Sequence, residues 1–199
     1  MGRLLTDRSV RWCDVTTRDT ILHAALERFA RVGYLGSSIQ QIADDVGTSK
    51  SSVLYHFDSK EALLEAAMAP ALDAMESLID ALPELRHEHT AAAPGLVTRF
   101  VDTLMTHSAA ISIFISQRGA LQGVPAIERA NAIVDAIART LVLEAPTPRV
   151  LTRLSIGLAG VAFILGDTLS TEHDHLDPHE MRAIFIETLL ELSSTGEDA

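Results

Sequence analysis

One stretch constrains this chain more than any other: IQQIADDVGTSKSSVLYHF, from Ile39 to Phe57. Ile39, Ile42, Ala43 and Val46 recur at i, i+3, i+4 and i+7, the spacing of one buried stripe on a helix, and Gln40, Gln41, Asp44 and Asp45 fill the other face. Ser38 stands just before the stripe with Gln41 three residues on, a pairing that satisfies orphan amides and fixes where the helix begins. Gly47 then stops it, since glycine takes a left-handed backbone at little cost, and Ser49 can cap a second helix at once. That helix is barely two turns long. Val53 and Phe57 give it one buried edge, leaving Lys50, Ser51, Ser52, Tyr55 and His56 outward. No packed core needs that outer face. Small hydroxyls, a lysine, an aromatic ring and a histidine on a short helix after a tight turn suit insertion into a DNA major groove.

The flanking segments are helical too. Thr16 with Asp19 predicts a cap, and Ile21, Ala25, Phe29 and Val32 form a stripe until Gly33. Beyond Phe57, Asp58 with Glu61 predicts another cap, followed by Leu63, Leu64, Ala67 and Met68. Pro70 comes next. A proline removes one helical hydrogen bond, so this segment is expected either to run on as a bent helix or to restart over Ala71 to Leu82.

Ala43, Gly47 four residues later and Val53 six after that match helix-turn-helix spacing, and the string from Thr17 to Ala67 resembles the N-terminal domain of the TetR family of bacterial transcriptional regulators. Arg18, Ala25, Phe29, Gly33, Tyr34, Ile42, Ala43, His56, Phe57, Lys60 and Glu61 carry the resemblance. One position departs from it. Leu54 stands where most members have a tyrosine, and the tyrosine of this chain is next door at Tyr55. The resemblance implies a homodimeric repressor released from a palindromic double-stranded DNA operator by a small molecule. DNA contacts are then expected from Arg18, Ser38, Gln40, Thr48, Ser49, Lys50, Ser51, Ser52, Tyr55, His56 and Lys60.

Charge tests that expectation, because phosphate neutralisation supplies much of the affinity for DNA. Net charge is −11. Its distribution is uneven: residues 1–68 hold eight Lys/Arg against nine Asp/Glu, whereas residues 69–199 hold eight against eighteen. The acid sits where nucleic acid is not expected. Arg3, Arg8 and Arg11 lie in a leader without helical period, which reads either as a disordered start or as an arm reaching a minor groove.

An apolar content of 47% and a mean hydropathy of +0.20 argue against disorder. The longest uninterrupted apolar run, Ile156 to Leu165, falls short of the ~20 residues needed to span a bilayer, and the first sixteen residues lack a secretory core. No membrane association and a cytoplasmic address are expected. Cys13 is the one cysteine, which excludes an intramolecular disulfide and a thiolate zinc cluster. Pro83 to Gly95 reads as a loop; His87 and His89 within it, and His173, His175 and His179 later, have no rigid element to orient them, so no metal is expected.

The remaining helical stretches run near Leu96–His107, Ala110–Arg118, Ala126–Leu143, Arg149–Ser170 and His179–Ser193, separated by glycine and proline breakers. Thr147 and Asp177 stand before Pro148 and Pro178, each a cap ahead of a first-turn proline, and Glu180 is placed to complete a box with Asp177. The fold expected is all-α with about nine helices: an arm over 1–16, a helix-turn-helix domain over 17–68, and a ligand-binding and dimerisation domain over 69–199. Phe100, Leu104, His107, Ile111 and Phe114 sit three or four apart as one face followed by Gln117, and with Met68 and Met75 they are the expected wall of a ligand pocket. The last two helices are apolar over more than one side, so Gly157, Gly160, Ile164, Ile184, Phe185 and Leu189 are expected at a twofold interface. No nucleophile-base or metal constellation points to catalysis, and no cofactor is expected. The rival reading is a helical interaction or scaffold protein that kept the fold and lost operator binding.

Overall fold

The computed structural model describes residues 16–81, 94–145, 147–167 and 177–194, and every regular element among them is helical. Helix α1 spans Thr17–Val32. Thr16 and Asp19 cap it reciprocally, the Asp19 N–H donating to Thr16 Oγ1 at 3.2 Å and the carboxylate accepting from Thr16. Those bonds from Thr16 hold the Asp19 carboxyl below its usual range. Ile21, Ala25 and Phe29 are buried as expected, but Ala30 completes the stripe and Val32 does not: it is half exposed. Helices α2 (Ile39–Asp45) and α3 (Lys50–His56) pack on α1, and Arg28 of α1 pairs with Asp45 of α2 at 2.7 Å.

Helix α4 runs unbroken from Lys60 to Asp80. Its cap is Ser59, whose hydroxyl accepts from the Ala62 N–H at 3.0 Å, and not the expected Asp58. No restart occurs at Ala71. Pro70 lies on the exposed side, while Leu63, Leu64, Ala67, Met68, Ala71, Leu72, Met75 and Leu78 are buried, so the packed face keeps the register of one helix past the missing amide.

The chain continues as α5 (Pro94–Thr106), α6 (Ser108–Gln117), α7 (Pro125–Glu144), α8 (Pro148–Asp167) and α9 (Pro178–Ser193). Pro94 and Gly95 open α5 and so do not belong to the expected loop. The rest of that loop with His87 and His89, the leader with its three arginines, and His173 and His175 lie outside the described residues. The Thr147 cap is present, accepting from the Val150 N–H at 3.2 Å. Asp177 accepts instead from the His179 N–H at 2.9 Å, which replaces the expected box with Glu180.

Helix α1 packs on α4 and α6, α4 on α7 and α5, α6 on α8, and α8 on α9, which returns to α5. A single core therefore runs from Ile21 through Met68 and Ile113 to Leu189. Helix α8 is long and apolar enough, by length and composition, to cross a bilayer; here Val150, Leu154, Val161 and Leu165 are buried against its neighbours.

Candidate nucleic-acid interface and cavity

The turn between α2 and α3 is built by backbone chemistry. Ser38 and Gln41 cap α2 reciprocally, the Ser38 N–H donating to Gln41 Oε1 at 2.9 Å. Gly47 has φ +69°, the left-handed conformation the reversal requires, and a Cβ there would meet nothing within 4 Å. Ser49 caps α3 by accepting from the Ser52 N–H at 3.1 Å. Val53 and Phe57 are buried, which turns Lys50, Ser51, Leu54 and Tyr55 to solvent and leaves Ser52, His56 and Thr48 half-buried. Tyr55 is 86% exposed, whereas Leu54 is 38%. Gln40 is exposed on α2 and donates to Asp44 at 2.8 Å. Arg18, exposed on α1, holds its guanidinium 5.1 Å from the centre of the Phe57 ring, so its head lies beside the end of α3.

Lys60 stands apart from these. It is expected to reach DNA, but its ammonium turns inward, donating to the carbonyls of Tyr34 and Ser37 at 2.9 Å each and lying 4.1 Å from the Tyr34 ring centre. Burial lowers its pKa, and burial together with Glu61 raises that of Tyr34. The physical reason is local: α1 ends at Gly33, and the carbonyls of the following turn have no helical partner.

Gln117 also leaves its expected place. Instead of anchoring a pocket ligand, it bonds the end of α1, accepting from the Tyr34 N–H and donating to the Phe29 carbonyl. His107 is likewise off the pocket wall. It sits in the break between α5 and α6, so the expected single face is split over two helices, and burial lowers its pKa. The other six expected residues do converge: Met68, Met75, Phe100, Leu104, Ile111 and Phe114 line a cavity of about 410 Å³. Ile133 and Ile137 of α7 and Leu158 and Ala162 of α8 complete it. Sequence reasoning missed these because a core helix and a pocket wall carry the same apolar period.

Two arginines brace these helices from outside. Arg129 of α7 bonds Asp73 at 2.6 Å and also Glu76 of α4, holding the Glu76 carboxyl below its usual range; Arg182 of α9 bonds Asp102 of α5 at 2.5 and 2.9 Å with the same effect.

The expected interface residues divide. Phe185 and Leu189 are buried within the chain and are core. Gly157 serves an internal contact, since a Cβ there would lie 2.6 Å from Leu192 and 2.9 Å from Leu189. Gly160 faces open space, and Ile164 and Ile184 are exposed along with Ile156 and Phe163.

A capped helix, a glycine turn and a short presented helix, carried on α1 and α4, define a helix-turn-helix domain. Residues 21–67 match the model of the family described as bacterial regulatory proteins, tetR family. It is 45% identical over 56 residues to the HTH-type transcriptional regulator RutR of Escherichia coli (strain K12), covering 28% of this chain and 26% of that protein. It is 34% identical over 62 residues to the biofilm operon icaADBC HTH-type negative transcriptional regulator IcaR of Staphylococcus aureus (strain Newman), covering 31% and 33%. The chain thus matches a quarter to a third of these relatives' lengths. The whole fold is similar to that of the ketosteroid transcriptional regulator KstR2 of Mycobacterium tuberculosis, with a TM-score of 0.66, 16% identity, and 89% and 93% of the two chains covered.

Proposed function

We propose that this chain is a DNA-binding transcriptional regulator, acting in the cytoplasm as a homodimeric repressor that a small molecule releases from a palindromic operator. The observation that carries the reading is the outward face of α3, where Lys50, Ser51 and Tyr55 project from a helix whose other edge is fixed by Val53 and Phe57. Phosphate contacts are assigned to Lys50 and Arg18, and base-edge contacts to Ser51, Ser52 and Tyr55. Ser38, Gln40, Thr48, Ser49 and His56 border this surface. The similarity to IcaR, named a negative regulator, favours repression.

Dimerisation is assigned to the strip formed by Ile156, Gly160, Phe163 and Ile164 on α8 with Ile184 on α9, an exposed apolar surface of the kind that marks an interface. A division near residue 68 between DNA-binding and effector parts falls inside α4, which belongs to both. The cavity is assigned to the effector. Gel-shift titration against the DNA upstream of the protein's own gene, at low and moderate salt, tests the reading. Saturable, palindrome-dependent binding supports it, and salt-labile smearing supports the rival interaction protein, which the acidity of residues 69–199 favours. Phe163→Glu should yield monomers in sedimentation and lose operator affinity with its fold intact. Ala110→Phe or Ile111→Trp should change operator affinity or ligand response, and neither changing would place the effector elsewhere.

A further inference from the structure

The cavity wall is unusual for what it lacks. Every lining residue lies within α4, α5, α6, α7 or α8, so most of the wall's backbone N–H and C=O groups are engaged in helical bonds. Among the lining side chains Ser155 alone carries a hydroxyl, amide or ionisable group. Several charged residues next in sequence to the wall are directed elsewhere: Arg129 bonds Asp73 and Glu76 on the outside of α4 and α7, and Asp135 and Arg139 of α7 are exposed. Val134, Ala138 and Val142 of α7 with Ser155 and Ala159 of α8 both line the cavity and are exposed, which sets its mouth between these two helices. Ser155 is thus a polar group at the rim of a hydrocarbon chamber. Met68 and Met75 at the α4 wall are unbranched and adapt to the shape of an apolar guest.

We propose that the cavity takes an uncharged, largely hydrocarbon molecule with at most one hydroxyl or carbonyl group, which meets Ser155 at the mouth. This rests on the cavity being the effector site. An anion or cation would lose its hydration and find no counter-charge among the lining side chains, a penalty that a hydrocarbon guest does not meet. A volume of about 410 Å³ suits a small molecule. The acidity of residues 69–199 does not select a cation here, because none of it reaches the wall.

The test uses the full chain with N-phenyl-1-naphthylamine, an uncharged dye that brightens in apolar surroundings. Decan-1-ol, decanoate and decyltrimethylammonium, which share a chain length and differ in head group, compete for it below their micellar concentrations. Decan-1-ol should displace the dye at a concentration roughly tenfold or more below that of either ion. Equal or better displacement by an ion overturns the ligand class. Ser155→Val should weaken decan-1-ol about threefold to tenfold and leave the dye unaffected, and an unchanged alcohol affinity overturns the role of Ser155. Ala138→Trp, or Val142→Trp if the first fails to fold, narrows the mouth and should weaken dye binding at least roughly tenfold. Undiminished dye binding in a folded variant overturns the cavity as the site itself. Loss of dye binding in that variant together with equal competition by the ions overturns only the chemistry assigned to the guest.

Discussion

The side-chain amide of Gln117, at the end of α6, closes over the end of α1: its Oε1 accepts from the Tyr34 N–H at 2.6 Å, and its Nε2 donates to the Phe29 carbonyl at 2.8 Å. One side chain thus joins a helix of the cavity wall to the turn that leads into α2. Gln117→Leu leaves both backbone groups part-buried without that partner, and the expected cost is about 1–3 kcal/mol. A urea-unfolding midpoint equal to that of the parent would show that the bond contributes nothing.

Lys60 makes a second tie to the same turn. Lys60→Met keeps the packing of the stem and removes the ammonium, so the carbonyls of Tyr34 and Ser37 lose their donor and the Tyr34 ring loses its cation. Stability should fall by roughly 1–3 kcal/mol, with any loss of DNA affinity following from the loosened turn. Thermal melts and gel shifts run on the same samples separate the two effects. Weakened DNA binding at unchanged stability would return Lys60 to the DNA surface.

Gly47→Val strains the backbone without a clash, since φ is +69° and the space around a Cβ is empty. The penalty is conformational, about 1–2 kcal/mol, and should appear as lost DNA affinity with an intact oligomer. Gly47→Asn should retain more affinity than Gly47→Val, because asparagine enters this region more readily. The ratio of the two dissociation constants is the measurement.

Gly157 and Gly160 are one turn apart on α8 and should respond in opposite directions. Gly157→Ala drives a methyl into Leu192 and fully buried Leu189, an overpacking cost of about 1–3 kcal/mol. Gly160→Ala meets nothing within the chain and gains helix propensity, up to about 1 kcal/mol. Chemical denaturation in the Phe163→Glu background, where the proposed second copy is absent, reads both. A destabilised Gly160→Ala there would mean that a neighbour within the chain meets the added methyl.

His107 supplies a pH dependence. Burial lowers its folded pKa below the ordinary 6.5, so the unfolded chain binds the proton first as pH falls. The stability associated with neutral His107 is fully present above 6.5 and is lost as pH drops toward the lowered value. Asp19, Glu76 and Asp102, with pKa values lowered from 3.8, 4.5 and 3.8, respond only in more acid solution. His107→Gln should therefore flatten the decline in melting temperature between pH about 7.5 and 5.5. An identical decline in parent and variant would remove His107 as its source.

The local chemistry of capping and turns was legible in sequence because its partners are three residues apart: Thr16 with Asp19, Ser38 with Gln41, and Ser49 before α3 all form as spacing predicts. Ser59 takes the place expected of Asp58, since either residue type can cap. What sequence could not give were contacts between distant residues. Gln117 and Phe29 are 88 residues apart, and no local pattern pairs them. Nor could an apolar period tell Leu189, sealed between α8 and the core, from Ile184 five residues earlier on the open side. Helix α7 is legible in sequence only as a helical stretch, yet its Ile133 and Ile137 face the cavity, since filling a core and walling a void demand the same residues.

Because Pro70 leaves α4 in one piece, the helix behaves as a lever. Met75 on the cavity wall and Lys60 at the turn stand fifteen residues apart on it, about 22 Å at ~1.5 Å per residue. A rigid arm of that reach turns a tilt of roughly 5° into a displacement of about 2 Å at its far end. Lys60 grips the carbonyls that precede α2, so the turn and the presented helix travel with the arm. Side chains rearranged by a methyl's width at one end can reposition α3 at the other, through a helix that keeps its buried face in register past Pro70.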